Sequence, residues 1–308
     1  MSPTYLRSTY QDPTYLESSG MPDAPSAWTV TTVVAPGPDG PLTFDVETIG
    51  PEDAEHTVLA LHGFPQSARS WRRVGHLLAV AGIRVIAPDQ RGYSPGARPV
   101  GVEPYRADRL VGDALAVADA FGRSRFHLLG HDWGAQVGWT LAARHPDRVQ
   151  SFTALSVPHP AAFARAYKED PEQREASGYI GLFWQEGKAE AVLAENDYTR
   201  LRALINPLPD AEIEVYVERL RQPGALTAAL SWYRAMESAG DAAPITVPTT
   251  YVWSTADIAL RRRGAELCAD YVTADYRFVV LDGVSHWIPD EDPGAVAEAV
   301  LDRIPHRQ

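Results

Sequence analysis

An aspartate stands where a glycine-flanked turn can hold one side chain up for reaction. The apolar run Phe126-His127-Leu128-Leu129 leads straight into Gly130-His131-Asp132-Trp133-Gly134. This is the pattern of a nucleophile elbow, a sharp strand-to-helix turn that glycines make possible. Serine is the usual residue at its tip, and Asp132 changes the chemistry. A carboxylate with an ordinary pKa of about 3.9 is ionised at neutral pH and can attack carbon with no base to activate it. Attack on a saturated carbon by serine would leave a stable ether, whereas attack by aspartate leaves an ester that water can cleave. The residue type therefore points to an electrophilic sp3 carbon, chiefly in epoxides and alkyl halides, and away from esterase or peptidase work.

Other residues complete the constellation. Leu61-His62-Gly63-Phe64-Pro65 follows a predicted strand where an oxyanion loop belongs, so the Phe64 and Trp133 amides can converge on one oxygen. His62 reads as a turn histidine bonded to backbone. His286, in Gly283-Val284-Ser285-His286-Trp287 after the last predicted strand, is the best of nine histidines for the base in the chain order nucleophile, acid, histidine. Asp257, four residues past Trp253, is the natural acid to orient it, with Asp275 and Asp282 as rivals beside the last strand.

These residues need a sheet to carry them. Residues 28–34 and 42–49 read as an antiparallel hairpin split by Pro36-Gly37-Pro38-Asp39-Gly40. Apolar runs at 57–61, 83–87, 126–130 and 152–156 alternate with helical periods at 68–80, 106–121 and 135–144, the mark of a doubly wound parallel sheet. After residue 159 the strands stop, and a helical, aromatic and charged stretch follows. Strands resume at 249–253 and 277–281, and 293–304 closes the chain as a helix. The expected division is a polar, aperiodic mobile tail at 1–27, an α/β core at 28–159, a helical lid at 160–245 and the rest of the core at 246–308. Met21 competes with Met1 as the biological start.

Composition narrows the classes. A 308-residue chain with 45% hydrophobic residues can bury a large core. A net charge of −12 argues against nucleic acid and anionic membrane as partners. No apolar run approaches the roughly 20 residues of a membrane span, and no signal-peptide pattern opens the chain, so the expected compartment is the cytoplasm. Lys168 and Lys188 are the only lysines among 28 basic residues, a skew that points to a GC-rich bacterial gene. The single cysteine, Cys268, allows no internal disulfide and reads as helix packing. Neither a HExxH zinc pattern nor a phosphate-binding loop is present, so no metal or cofactor is expected.

Taken together, the elbow, the His-Gly-Phe-Pro loop, Asp89-Gln90-Arg91-Gly92-Tyr93 and Val157-Pro158-His159-Pro160 resemble the epoxide hydrolase branch of the α/β-hydrolase fold family, from about Trp28 to Ile304. The resemblance extends into the lid. Tyr179, eight residues before the glycine of Gly187-Lys188-Ala189-Glu190, matches the first lid motif, although Trp184 and Glu186 replace its usual glutamine and proline. Ser231-Trp232-Tyr233-Arg234 matches the second, with serine for asparagine. It implies that Tyr179 and Tyr233 grip the oxygen of a small epoxide while Asp132 forms a covalent ester, which His286, oriented by Asp257, hydrolyses with water. The rival within the same chemistry is a haloalkane or haloacid dehalogenase. Trp133 could offer its indole N–H to halide, but Phe64 has no donor to supply the second contact. A non-catalytic receptor on this fold is the alternative of a different class.

Overall fold

The central apolar runs form strands whose side chains must be buried on both faces. In the computed structural model, which describes residues 4–7, 27–37, 40–236 and 243–305, the strands are β1 (Thr4–Arg7), β2 (Thr29–Ala35), β3 (Leu42–Ile49), β4 (Thr57–Leu61), β5 (Arg84–Pro88), β6 (Phe126–His131), β7 (Val149–Leu155), β8 (Thr249–Ser254) and β9 (Tyr276–Asp282). Every residue of β4 is buried. Its alternation sends Val58 and Ala60 to one apolar cluster with Trp71, Leu78 and Val296, and Leu59 and Leu61 to the other with Phe126, Leu128 and Trp139. Helices Arg72–Val80 and Pro293–Leu301 cover the first face, and Ala107–Ala120 and Trp133–Arg144 the second.

The strand order is β1-β9-β8-β7-β6-β4-β5-β3-β2. Pairing is parallel from β1 through to β5, and β3 joins β5 and β2 antiparallel, with Val33 opposite Phe44 in the expected hairpin. The expected tail is described only in part. Residues 1–3 and 8–26 lie outside the described residues, but Thr4–Arg7 adds to the outer edge of β9, Thr4 opposite Val279. An edge strand offers a row of unpaired N–H and C=O groups, and a Thr-Tyr-Leu run has the propensity to take it. Among the described residues no helix is long and apolar enough to cross a membrane.

Between β7 and β8 lie the lid helices Pro160–Glu169, Pro171–Ala176, Tyr179–Phe183, Lys188–Leu204, Asp210–Arg221 and Ala225–Arg234. Lys188–Leu204 breaks at Asn196, Asp197 and Tyr198, whose φ angles of 49°, 56° and 60° are left-handed. Specific bonds pin the lid to the core. The Arg69 guanidinium grips Glu212 at 2.6 and 2.8 Å, Arg219 pairs with Asp89, and the Trp232 indole donates to the Arg91 carbonyl at 2.9 Å. The Asp89-Gln90-Arg91 turn is thus a junction. Asp89 also accepts from the Ala68 amide at 2.8 Å, and Gln90 donates from its amide to His62 Nε2 at 3.1 Å.

Arg91 itself is held by a buried fork on Asp113, both bonds 2.7 Å. Burial pushes the Asp113 carboxyl up and Arg91 opposes that shift. Arg91→Met would strand this carboxylate, at a cost of about 3–5 kcal/mol. Urea unfolding should show the loss at pH 8 and progressively less of it as the pH is lowered, because a raised carboxyl takes up a proton sooner on acidification; an equal loss at every pH would exclude an uncompensated charge as the cause.

Candidate active site

Asp132 caps helix Trp133–Arg144 at the end of β6 with φ 51° and ψ −119°, a sparsely populated conformation that costs about 1–3 kcal/mol. Two glycines let the turn close. A Cβ on Gly134 would lie 1.9 Å from the Leu61 carbonyl oxygen, and one on Gly63 would lie 2.3 Å from Asp132 Oδ1. Without side chains at these positions the elbow nests against the loop after β4. There the Phe64 amide, preceding a cis bond to Pro65, donates to Asp132 Oδ1 at 2.7 Å. The Trp133 amide supports the same carboxylate, and the helix N-terminus favours its charge. Burial pushes the Asp132 carboxyl up, but His286, His131 and the Trp133 amide outweigh it and hold the group below its ordinary value.

The sheet brings His286 and Asp257 to the same place. His286 Nδ1–H donates to Asp257 Oδ2 at 2.8 Å, and Nε2 lies 3.7 Å from Asp132 Oδ2. Asp257 Oδ1 accepts from the Ala259 and Leu260 amides at 2.8 and 2.9 Å, so the carboxylate is fixed in the turn that follows β8. Burial pulls His286 down, but the Asp257 and Asp132 carboxylates prevail and raise it to about 10. The rivals sit elsewhere: Asp275 pairs with Arg303, and Asp282 accepts from Thr255. His62 donates from Nδ1 to the Gly63 carbonyl at 3.0 Å and accepts at Nε2, and burial lowers it to about 4. It is a structural turn residue. Cys268 is buried, accepts from the His159 amide at 3.3 Å, and has its thiol pushed up to about 12 by burial.

Both lid tyrosines face this carboxylate. Tyr179, Tyr233 and Asp132 line one cavity of about 480 Å³, counting its open mouth. The rings of Tyr179 and Tyr233 meet edge to face at 6.2 Å. The Trp133 ring packs edge to face on the Tyr233 ring at 4.9 Å. Phe64 closes the other side at 5.6 Å. Burial, reinforced in both by the charge of Asp132, raises both phenols above their ordinary value. They remain protonated donors throughout the working range of pH. Tyr179 is 38% exposed as a residue, its phenol inward and its body at the mouth.

Three residues of the site escaped the sequence reading. His131 donates from Nε2 to the His286 carbonyl at 2.9 Å and, pulled down to about 4 by burial, stays neutral there. Ser156, at φ 65°, bonds the same carbonyl at 3.2 Å. Gln136 lines the cavity one turn beyond Asp132. The available signal was a polar residue ending an apolar run, true of His131 and Ser156 alike, but a run does not say which distant loop its end will meet. Among the described residues no group of three His, Cys, Asp or Glu is arranged to hold a metal ion.

Comparison with known proteins places this geometry in a family. A family model described as alpha/beta hydrolase fold matches residues 56–293. The AB hydrolase superfamily protein YfhM of Bacillus subtilis is 36% identical over 85% of this chain and 94% of its own length. Epoxide hydrolase A of Mycobacterium tuberculosis is 34% identical, over 82% of this chain and 91% of its own. Among solved structures, one of the epoxide hydrolases from metagenomes of hot environments superimposes with a TM-score of 0.78 at 28% identity, covering 91% of this chain and 100% of that one.

The ion pair leaves a signature in stability. Because His286 is raised from 6.5 to about 10, its protonation stabilises the folded state fully below 6.5, and the contribution is lost as pH rises through about 10. Between pH 7 and 10, urea unfolding of the wild type should lose more free energy than that of His286→Gln. Parallel losses in the two proteins would show that the imidazole holds no extra proton.

Proposed function

The chain belongs to the epoxide hydrolase branch of the α/β-hydrolase fold family, and from that premise we propose that it opens an epoxide to a vicinal diol through a covalent ester on Asp132. In this reading residues 28–159 and 246–308 form the core that bears Asp132, Asp257 and His286, and residues 160–245 the lid that bears both tyrosines. The observation that carries the proposal is the meeting of an ionised elbow carboxylate with two protonated phenols across one cavity. A carboxylate serves either an epoxide or an alkyl halide. The phenols serve the ring oxygen.

Asp132 Oδ1 is occupied by the Phe64 amide, which leaves Oδ2 as the attacking atom. As Oδ2 bonds to an epoxide carbon and the C–O bond breaks, Tyr179 and Tyr233 donate to the leaving oxygen and supply its proton. The imidazolium proton of His286 restores the phenol. Esterification removes the Asp132 charge that helps to hold His286 protonated, so the same step that forms the ester turns His286 into a neutral base. Its Nε2 then takes a proton from water, and the resulting hydroxide attacks Asp132 Cγ while the Phe64 and Trp133 amides stabilise the oxyanion. Collapse releases the second alcohol, which takes the proton from the nascent Asp132 carboxylic acid. Asp132 returns ionised and His286 protonated, with one water consumed. No step calls for a metal or organic cofactor.

Halide release has less support. Phe64 offers a departing halide no side-chain donor, and the two phenols would have no role in halide release. A receptor would have no use for a strained, ionised carboxylate backed by a histidine and an aspartate.

Asp132→Ala should reduce diol formation below a few per cent of wild type with an unchanged circular dichroism spectrum. In His286→Gln the ester should accumulate, visible in intact-protein mass spectrometry as an adduct of one substrate mass; an unmodified protein would argue for direct attack of water. Tyr179→Phe and Tyr233→Phe should each slow ring opening by about ten- to a thousandfold, as loss of one oxyanion donor does elsewhere. Full epoxide turnover in both, or faster halide release indifferent to them, would favour the dehalogenase.

A further inference from the structure

Helix Trp133–Arg144 sends a second polar side chain into the cavity. The Gln136 amide donates to the Asp132 carbonyl at 3.1 Å, which sets Gln136 one turn beyond the carboxylate on the wall of the same cavity. Gln136 is half-buried, and among the described residues its carboxamide has no hydrogen-bond partner. The wall around it is apolar: Val157, Phe163, Ile180 and Leu260. Every other polar group there already has a task in the reaction proposed above. Asp132 is held by the Phe64 amide, and in that reaction the two phenols serve the ring oxygen.

Resting on that epoxide reading, we propose that Gln136 sets specificity by donating a hydrogen bond to an oxygen on the epoxide's substituent, so that glycidyl ethers and related oxygenated epoxides are preferred over hydrocarbon ones. In the reactive pose the attacked carbon sits about 3 Å from Asp132 Oδ2, with the ring oxygen turned to the tyrosines. A substituent running from Asp132 along the helix then passes Gln136, which lines the cavity one turn further on. A methylene at that point strips water from the carboxamide and returns nothing. An ether or hydroxyl oxygen accepts from Nε2 and restores the lost bond.

The test is a matched pair, phenyl glycidyl ether and (2-phenylethyl)oxirane, which differ by one oxygen against one methylene. kcat/KM is measured for each with the wild type, Gln136→Leu and Gln136→Met, the second variant keeping the length of the side chain should the first fold poorly. Intrinsic reactivity is common to the three proteins, so the ether-to-hydrocarbon ratio isolates the contact. That ratio should fall about five- to tenfold in both variants, chiefly through a higher KM for the ether. A ratio unchanged from wild type, whether rates hold or drop together, would overturn the role of Gln136 and leave the epoxide reading standing. Failure of the wild type to hydrolyse either compound or styrene oxide would instead bring down the epoxide reading and this inference with it.

Discussion

Burying a carboxylate without protonating it is the constraint around which this molecule is arranged. Desolvation alone would neutralise Asp132, and every nearby element counters it. The Phe64 amide binds Oδ1, the Trp133 amide and the helix N-terminus add partial positive charge, and His286 adds a full one. Each donor requires a backbone path that ordinary side chains would block. Gly134 therefore lies against the Leu61 carbonyl, and Gly63 lies under Asp132 itself. The strain at Asp132 is tolerated because β4 and β6 are adjacent, central and buried on both faces, so the turn has no freedom to relax.

The same charge balance links the halves of the proposed reaction. His286 lies between two carboxylates and keeps its proton while both are ionised. In the proposed reaction, esterification of Asp132 is the event that would shift it from acid to base. Asp257, fixed by two amides, keeps the ring oriented throughout. His131 and Ser156 restrain the backbone of His286 from below, so the imidazole answers to charge rather than to movement of its loop.

The lid contributes what the core lacks, a pair of neutral donors above the carboxylate. Its helices are joined to the core through Arg69–Glu212, Arg219–Asp89 and the Trp232–Arg91 contact, all near the Asp89-Gln90-Arg91 turn. That turn also binds His62, which precedes the loop that carries Phe64. One short segment thus sets the height of the tyrosines and the position of Phe64 relative to each other.

Local pattern determined a great deal here. The alternation of buried strands with helical periods foretold β2 to β9 to within about three residues, and glycine spacing around Asp132 marked the elbow, because backbone geometry is dictated by neighbours in the chain. Chain order singled out His286 and Asp257, since a doubly wound sheet delivers the loops after successive strands to one edge. Three things needed the folded chain. The tail strand Thr4–Arg7 has no partner until β9 presents its edge. The pKa of His286 depends on two carboxylates 29 and 154 positions away, and no local run encodes their distance to Nε2. Gln136 reads as one more polar residue on a helix until the lid closes an apolar wall around it. Periodicity specifies which face of an element is buried; what that face meets is decided by packing between segments far apart in sequence, and the chemistry of the site lies in those meetings.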